Sequence, residues 1–112
     1  MSNSIFSFFQ PTGTYRKTQL SDDCWMKLYM SGCHGAAMIA FVDSEDKHLD
    51  VPDGFLLKKF THKGDSSNKI DPISPQLFAL RLDYTYSFTY GEKSGKFIAQ
   101  WAIQGDFVFE DV

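Results

Sequence analysis

Large aromatic residues recur at every second position near the end of the chain, and such side chains can stack on a sugar ring or a nucleobase. We define this aromatic set as Tyr84, Tyr86, Phe88, Tyr90 and Trp101. The competing interpretation is a sandwich core, in which alternating large residues face a second sheet. We favour the core for most of the set. Because tyrosine tolerates a solvated hydroxyl, we expect the end from Tyr84 to Tyr90 to project from that core.

Cysteine and histidine stand side by side at Cys33 and His34, a combination that can supply a nucleophile with its base or two metal ligands. Neighbouring residues of a strand point to opposite faces, so the pair is not a ready catalytic dyad. A disulfide between Cys24 and Cys33 requires an oxidising compartment, and we expect two free buried thiols instead.

Acidic residues crowd the middle of the chain, where carboxylate oxygens can in principle bind calcium. These residues are Asp43, Glu45, Asp46, Asp50 and Asp53. The segment lacks the glycine and terminal glutamate of an EF-hand loop. We therefore expect a solvated loop here and no metal site.

The composition indicates one globular domain, residues 1–112, with 43% hydrophobic residues and a net charge of −3. Mild acidity disfavours nucleic acid, and we interpret the basic cluster of Lys58, Lys59, His62, Lys63 and Lys69 as solvated surface. No phosphate-binding loop, nucleophile elbow or zinc-protease motif is present, so we expect a binding protein that is not an enzyme and needs no cofactor. No signal peptide or membrane span is recognisable, which predicts a cytoplasmic protein.

Two alternating segments end the chain, and alternation with a period of two predicts β-strands. Large apolar residues alternate from Phe78 to Tyr90, a turn cluster follows at 91–95, and a second alternating run begins at Phe97. Thirteen residues of strand span roughly 43 Å, which is longer than a small sandwich needs. We therefore expect the run from Phe78 to Tyr90 to bend, switch sheet or overhang.

The remaining pattern also favours strands. The apolar run Ala36–Val42 fits a buried strand, with a helix as the competitor. We predict a first strand at Ile5–Phe9 and a long loop from His62 to Pro75, where two prolines bar a central strand. Short strands with regular turn signals predict an all-β, antiparallel β-sandwich of jelly-roll type. A single sheet packed on one helix is the alternative.

Two segments, LFALRL at 77–82 and TYGEKSGKF at 89–97, resemble the C-terminal hairpin of small bacterial galactose-binding lectins. Segments 35–40 and 51–60 are similar to the middle strands of that family, so the resemblance covers about half of the chain. It implies a sandwich fold and a glycan-binding function. In the family, calcium is bound by an Asp before the turn, a Thr, and Asn residues of the turn. Thr89 matches the Thr, but Thr85 and Lys93 stand where an Asp and an Asn are expected.

The leading hypothesis is a non-catalytic, lectin-like protein that binds a glycan or another small polar ligand without calcium. The candidate ligand contacts are Tyr86, Thr89, Tyr90, Glu92, Asp83 and His62. The alternative is a small acidic inhibitor, such as an immunity or anti-defence protein of a bacterium or phage, that binds a basic toxin or nuclease. Its candidate contacts are Asp43, Glu45, Asp46 and Asp50. A third interpretation is an accessory subunit of a larger assembly.

Overall fold

Ten β-strands make up the computed structural model, which describes residues 16–31, 36–61, 66–101 and 107–112. In chain order they are β1 Arg16–Ser21, β2 Cys24–Ser31, β3 Ala36–Val42, β4 His48–Leu49, β5 Leu56–Phe60, β6 Ser67–Lys69, β7 Phe78–Leu80, β8 Tyr84–Tyr90, β9 Lys93–Trp101 and β10 Phe107–Asp111. The described residues contain no helix, and therefore no helix that is long and apolar enough to cross a membrane. The predicted strand at Ile5–Phe9 lies outside the described residues.

The strands form two antiparallel five-stranded sheets. The first sheet has the order β1-β2-β3, and both β4 and β7 pair with the far edge of β3. The second has the order β10-β9-β8-β5-β6. The chain changes sheet between β4 and β5, between β6 and β7, and between β7 and β8. This confirms the predicted antiparallel β-sandwich and excludes the alternative of one sheet packed on a helix within the described residues.

The core lies between the sheets, where the alternating large residues of each sheet meet. Phe41 and Phe78 of the first sheet pack with Phe55, which in turn stacks on Phe88 of the second sheet. The buried cluster consists of Leu20, Cys24, Met26, Leu28, Ala37, Ile39, Phe41, Leu57, Phe78, Leu80, Tyr86, Phe88, Phe97, Ala99 and Phe109. Aromatic alternation thus serves mainly to fill the core, as favoured above; the side chain of Trp101 lies outside the described part.

The apolar run Ala36–Val42 is a strand, as predicted, and it is buried on both faces. Ile39 and Phe41 point into the core cluster, while Ala40 and Val42 alternate to the opposite face. All four are fully buried. Burial on both faces explains why the sequence shows an unbroken apolar run instead of an alternating one.

The run from Phe78 to Tyr90 is broken into two strands that belong to different sheets, which confirms that it switches sheet. The break falls at Arg81–Asp83, where Asp83 has a positive φ of 70°. The Tyr86 hydroxyl accepts a hydrogen bond from the backbone N–H of Arg81 at 2.7 Å. This bond fastens the crossover to the strand that follows it.

The turn between β8 and β9 is shorter than predicted. Tyr90 pairs directly with Lys93, so the turn consists of Gly91 and Glu92 alone. Gly91 has φ +58°, the conformation that favours glycine at the first central position of a tight hairpin turn. Gly95 lies inside β9, where a Cβ atom would come within 2.7 Å of the Phe88 ring. Close packing against Phe88, and not a turn, therefore explains the glycine at this position.

The predicted loop from His62 to Pro75 is wrong in part, because it contains the short edge strand β6. This strand pairs with β5 through Lys58 and Lys69, Lys59 and Asn68, and Phe60 and Ser67. The strand β6 was not recognisable in the sequence because its residues are polar. An edge strand with a solvated face need not show apolar alternation.

Candidate functional site

Tyr86, one of the predicted ligand contacts, is buried in the core. Its side chain is only 1% exposed, and its ring stacks on Phe97 with 6.0 Å between centroids. Burial also raises the pKa of the Tyr86 hydroxyl. The expectation that this part of the tyrosine run projects from the core is therefore wrong for Tyr86, whose face of β8 is covered by the opposite sheet.

The other predicted ligand contacts do not converge. Thr89 lies exposed on the outer face of β8, whereas Tyr90 alternates to the inner face and packs against the core. Asp83 and Glu92 lie at opposite ends of β8, roughly 25 Å apart at the usual rise of a strand. His62 lies outside the described residues. The structure therefore does not bring the described members of the predicted set together into one site.

The acidic residues predicted as partner contacts form an organised hairpin turn. The Asp43 carboxylate accepts hydrogen bonds from the backbone N–H groups of Glu45 at 2.8 Å and Lys47 at 3.0 Å. Glu45 also pairs with the Lys47 ammonium at 3.7 Å. Asp43 therefore stabilises the turn between β3 and β4, and its Oδ1 atom is already engaged within the chain.

Asp46 is likewise neutralised within the chain. Its carboxylate pairs with Lys17 at 3.2 Å and with Lys27 at 4.0 Å. The Lys17 hydrogen bond is the main reason that the pKa of Asp46 is lowered. Asp50 is exposed and forms no ion pair with another described residue. The acidic patch available to a basic partner is therefore smaller than the sequence indicates.

Neither cysteine chemistry nor a metal centre is apparent in the described part of the chain. Cys24 is a free, buried thiol, and its pKa is raised by burial and, to a lesser degree, by Asp23. A protonated, buried thiol is a poor nucleophile. Cys33 and His34 lie outside the described residues. Among those described, no three His, Cys, Asp or Glu side chains are grouped to hold a metal ion.

A cleft of about 330 Å³ opens between the two sheets. It lies on the side of the sandwich where β1, an edge of the first sheet, faces β9 and β10 of the second sheet. Its floor is apolar and consists of Met26, Leu28, Phe88 and Phe97. Its rim consists of Arg16, Thr18, Ser94, Gly95, Lys96 and Asp111.

The register of β10 leaves this cleft open. β10 pairs with β9 only from Phe97 onward, and the last backbone bond runs from the Val112 N–H to the Lys96 carbonyl at 3.0 Å. On that side, the backbone of β9 around Ser94 therefore has no neighbouring strand among the described residues. Unpaired strand edges present N–H and C=O groups that can bind a ligand.

Arg16 crosses the cleft and ties the two sheets together. Its guanidinium pairs with the Asp111 carboxylate and donates a second hydrogen bond to the Phe109 carbonyl at 2.7 Å. The forked geometry of arginine allows both bonds to form at once. The Arg16 side chain is 31% exposed and the Asp111 side chain 83%, so the pair borders solvent and can exchange partners with a ligand.

Among the described residues that line the cleft, Asp111 is the only carboxylate, and none is a histidine or a cysteine. The cleft offers an apolar floor, a hydroxyl from Thr18, a guanidinium and exposed backbone groups, which together suit a small molecule with one apolar face and several polar groups.

The sequence did not predict this cleft because its residues are distant along the chain. Arg16 and Asp111 are 95 positions apart, and only the packing of the sheets brings them together. One local signal was available: Gly95 lies in an alternating strand pattern, and a glycine there often marks a close approach of neighbouring groups. No family model, no curated protein and no solved structure matches this chain. The resemblance to galactose-binding lectins therefore stays a prediction.

Proposed function

We propose that this protein is a non-catalytic binding protein whose ligand is a small polar molecule of the sugar class. The observation that supports this proposal most is the cleft between the sheets, with its apolar floor and its polar rim. Its volume is at the lower end of the range for small-molecule pockets, about 300–1,000 Å³. A single sugar ring suits such a site better than a long oligosaccharide does.

The two kinds of surface in the cleft correspond to the two kinds of surface on a sugar ring. A pyranose has a face of C–H groups, which packs on apolar surface. The floor of the cleft offers such surface over a small area, since Phe88 is 6% and Phe97 2% exposed. The hydroxyl groups of the sugar need donors and acceptors, which Arg16, Thr18 and Asp111 supply at the rim. A ligand carboxylate, as in a sugar acid, can also replace Asp111 as the partner of Arg16, because arginine binds carboxylates in a bidentate manner.

The test is a calorimetric titration with a panel of neutral sugars, amino sugars and sugar acids. Thr18→Val is the informative variant, because it removes one rim hydroxyl and keeps the shape of the side chain. A lost hydrogen bond of about 1–1.5 kcal/mol weakens binding by roughly 5- to 15-fold. The matched control is Thr85→Val, which changes a half-buried threonine on the outer face of β8 and leaves the cleft unchanged.

A bulky substitution at the rim tests sugar binding in the cleft independently. Thr18→Phe places an aromatic ring at the rim and is expected to abolish binding, while Thr85→Phe is expected to leave it intact. The proposal would be contradicted if each Thr18 variant lost no more sugar affinity than its Thr85 control. It would also be contradicted if no sugar on the panel bound.

A further inference from the structure

Three lysines form a row across the outer face of the second sheet, on the side away from the core. Lys69 of β6 lies directly opposite Lys58 of β5, Lys58 lies opposite Ser87 of β8, and Ser87 lies opposite Lys96 of β9. We call Lys69, Lys58 and Lys96 the lysine row. With strands about 4.8 Å apart, the row is roughly 14 Å long. All three lysines are exposed.

The charges of the lysine row are not compensated by ion pairs within the described part of the chain. None of the three ammonium groups forms an ion pair with a described residue. Like charges directly opposite each other on a sheet destabilise the fold, and Lys58 and Lys69 are such a pair. The sequence therefore carries a local cost on this face that a bound anion would relieve.

The surroundings of the lysine row add hydrogen-bonding groups and little negative charge. Thr85, Ser87 and Thr89 alternate to the same outer face of β8 and place three hydroxyl groups beside the row. Two acidic residues lie near the ends of the row: Asp71 is exposed two residues beyond Lys69, and Glu110 is opposite Ile98, where its carboxylate accepts a hydrogen bond from Gln100 at 2.7 Å. The face as a whole thus offers ammonium and hydroxyl donors.

We propose that the lysine row is a docking surface for a linear anionic polysaccharide, bound through its sulfate or carboxylate groups. The donors form a line across the sheet, which matches charges repeated along an extended chain. Lys58 and Lys69 do not line the cleft, whereas Lys96 also belongs to its rim. The docking surface therefore adjoins the sugar-binding cleft proposed above at Lys96 and extends beyond it across the outer face of the sheet.

Single-stranded nucleic acid fits this surface less well. Proteins that bind it usually stack bases on exposed aromatic rings. On this face the aromatic ring next to the row is Phe60, and the Lys96 ammonium lies over it at 4.3 Å from its centroid. The cation–π contact occupies the ring face that a base would need.

A second copy of the chain also fits less well. In a symmetric dimer that buried this face, the lysine rows of both copies would be brought close together, and the repulsion would oppose association. The acidic hairpin is no better partner for the row, since Asp46 is paired with Lys17 and Lys27, and Glu45 with Lys47.

The experiment is a titration with a heparin octasaccharide at low ionic strength, followed by the same titration as salt is raised. The test variant is the double substitution Lys58→Gln with Lys69→Gln. The control is Lys47→Gln with Lys93→Gln, which changes the net charge equally at exposed sites outside the row. Each lysine near a polyanion contributes roughly fivefold to affinity, so the test variant is expected to bind on the order of 25-fold more weakly. The control is expected to change affinity by less than about threefold, because distant charges are screened.

The salt dependence gives a second readout. Each lysine removed from the contact is expected to lower the slope of log affinity against log salt by about one, while the control leaves the slope unchanged. The test variant should unfold at the same temperature as the parent or higher, because it removes a like-charge pair. That result shows that any loss of binding is not a loss of folding.

Three results would overturn the proposal: equal losses in the test and control variants, tighter binding to a single-stranded oligonucleotide of equal charge, or suppression of the octasaccharide complex by self-association of the protein. The cleft variant Thr18→Val is expected to leave octasaccharide binding unchanged. Failure of the sugar titration therefore does not count against the lysine row, and the reverse also holds.

Discussion

Replacing Tyr86 with phenylalanine tests whether this residue serves the fold or a ligand. The substitution keeps the buried ring and removes only the hydroxyl that accepts the Arg81 N–H at 2.7 Å. A backbone donor that loses its partner costs about 1–3 kcal/mol when it cannot reach water. Because this bond is only partly buried, we expect Tyr86→Phe to lower the free energy of unfolding by about 1–2 kcal/mol.

Tyr90→Phe is the matched control for this measurement. Tyr90 lies on the same face of the same strand and packs against the core, but no described residue forms a hydrogen bond with its hydroxyl. We expect its substitution to cost less than about 0.5 kcal/mol, the usual effect of a change that breaks no specific interaction. The difference between the two variants isolates the hydrogen bond that fastens the crossover.

Equilibrium unfolding in urea, followed by circular dichroism, measures both values. An unchanged slope with a lower midpoint indicates a true loss of stability. For a domain of this size, 1 kcal/mol corresponds to roughly 4 °C in melting temperature, so we expect Tyr86→Phe to melt about 4–8 °C lower. Tyr86→Ala, which also removes the ring, should cost about 3–5 kcal/mol. If Tyr86→Phe and Tyr90→Phe agree to within about 0.3 kcal/mol, the assigned hydrogen bond does not stabilise the fold.

Gly95→Ala places a Cβ atom 2.7 Å from the Phe88 ring, and we expect a loss of about 1–3 kcal/mol in unfolding free energy by urea titration; no loss would show that the ring can move away. Cys24 should resist a thiol reagent in the native protein and react on unfolding, as peptide mapping by mass spectrometry can show, because burial raises its pKa and limits access. The pKa of Asp46 is lowered in the folded protein, so its stabilising contribution is present above its unfolded pKa, near 4, and is lost as the pH falls further. Asp46→Asn should therefore flatten the acid limb of a curve of unfolding free energy against pH. An unchanged acid limb would exclude this role. We expect no micromolar calcium binding by calorimetry, and calcium binding that Thr89→Ala abolishes would refute this.

Periodicity predicted the strands well because the side-chain period of a strand is a local property. The alternation from Phe78 to Tyr90 indicated strand throughout, and its excessive length indicated the change of sheet that the structure places at Arg81–Asp83. What the pattern did not predict was which tyrosines the opposite sheet would cover. Tyr86 and Tyr90 have identical places in the alternation, and only the extent of the facing sheet buries one fully and the other in part.

The candidate site depends on long-range packing and was therefore less predictable. Arg16 faces Asp111 because β1 and β10 are edges on the same side of the sandwich, an arrangement that no local pattern encodes. The lysine row was missed for a related reason. Sequence grouped Lys58 with Lys59, its neighbour, but the register aligns Lys58 with Lys69 and through Ser87 with Lys96. Alternation turns Lys59 away from the row, and its ammonium lies over the Tyr84 ring at 4.7 Å.

The positions of these charges bear on the resemblance to calcium-dependent lectins. Thr89 is the residue at which that resemblance implies a calcium ligand, and its side chain lies on the same outer face as Lys58 and Lys96. A divalent cation on this face would be repelled by the ammonium groups and would find no group of carboxylates among the described residues to hold it. The face already has the positive charge that a calcium ion would supply, and it comes from lysine. Those lectins contact neutral sugar hydroxyl groups through calcium. The lysines on this face oppose such a calcium-mediated contact and favour a ligand that is itself an anion.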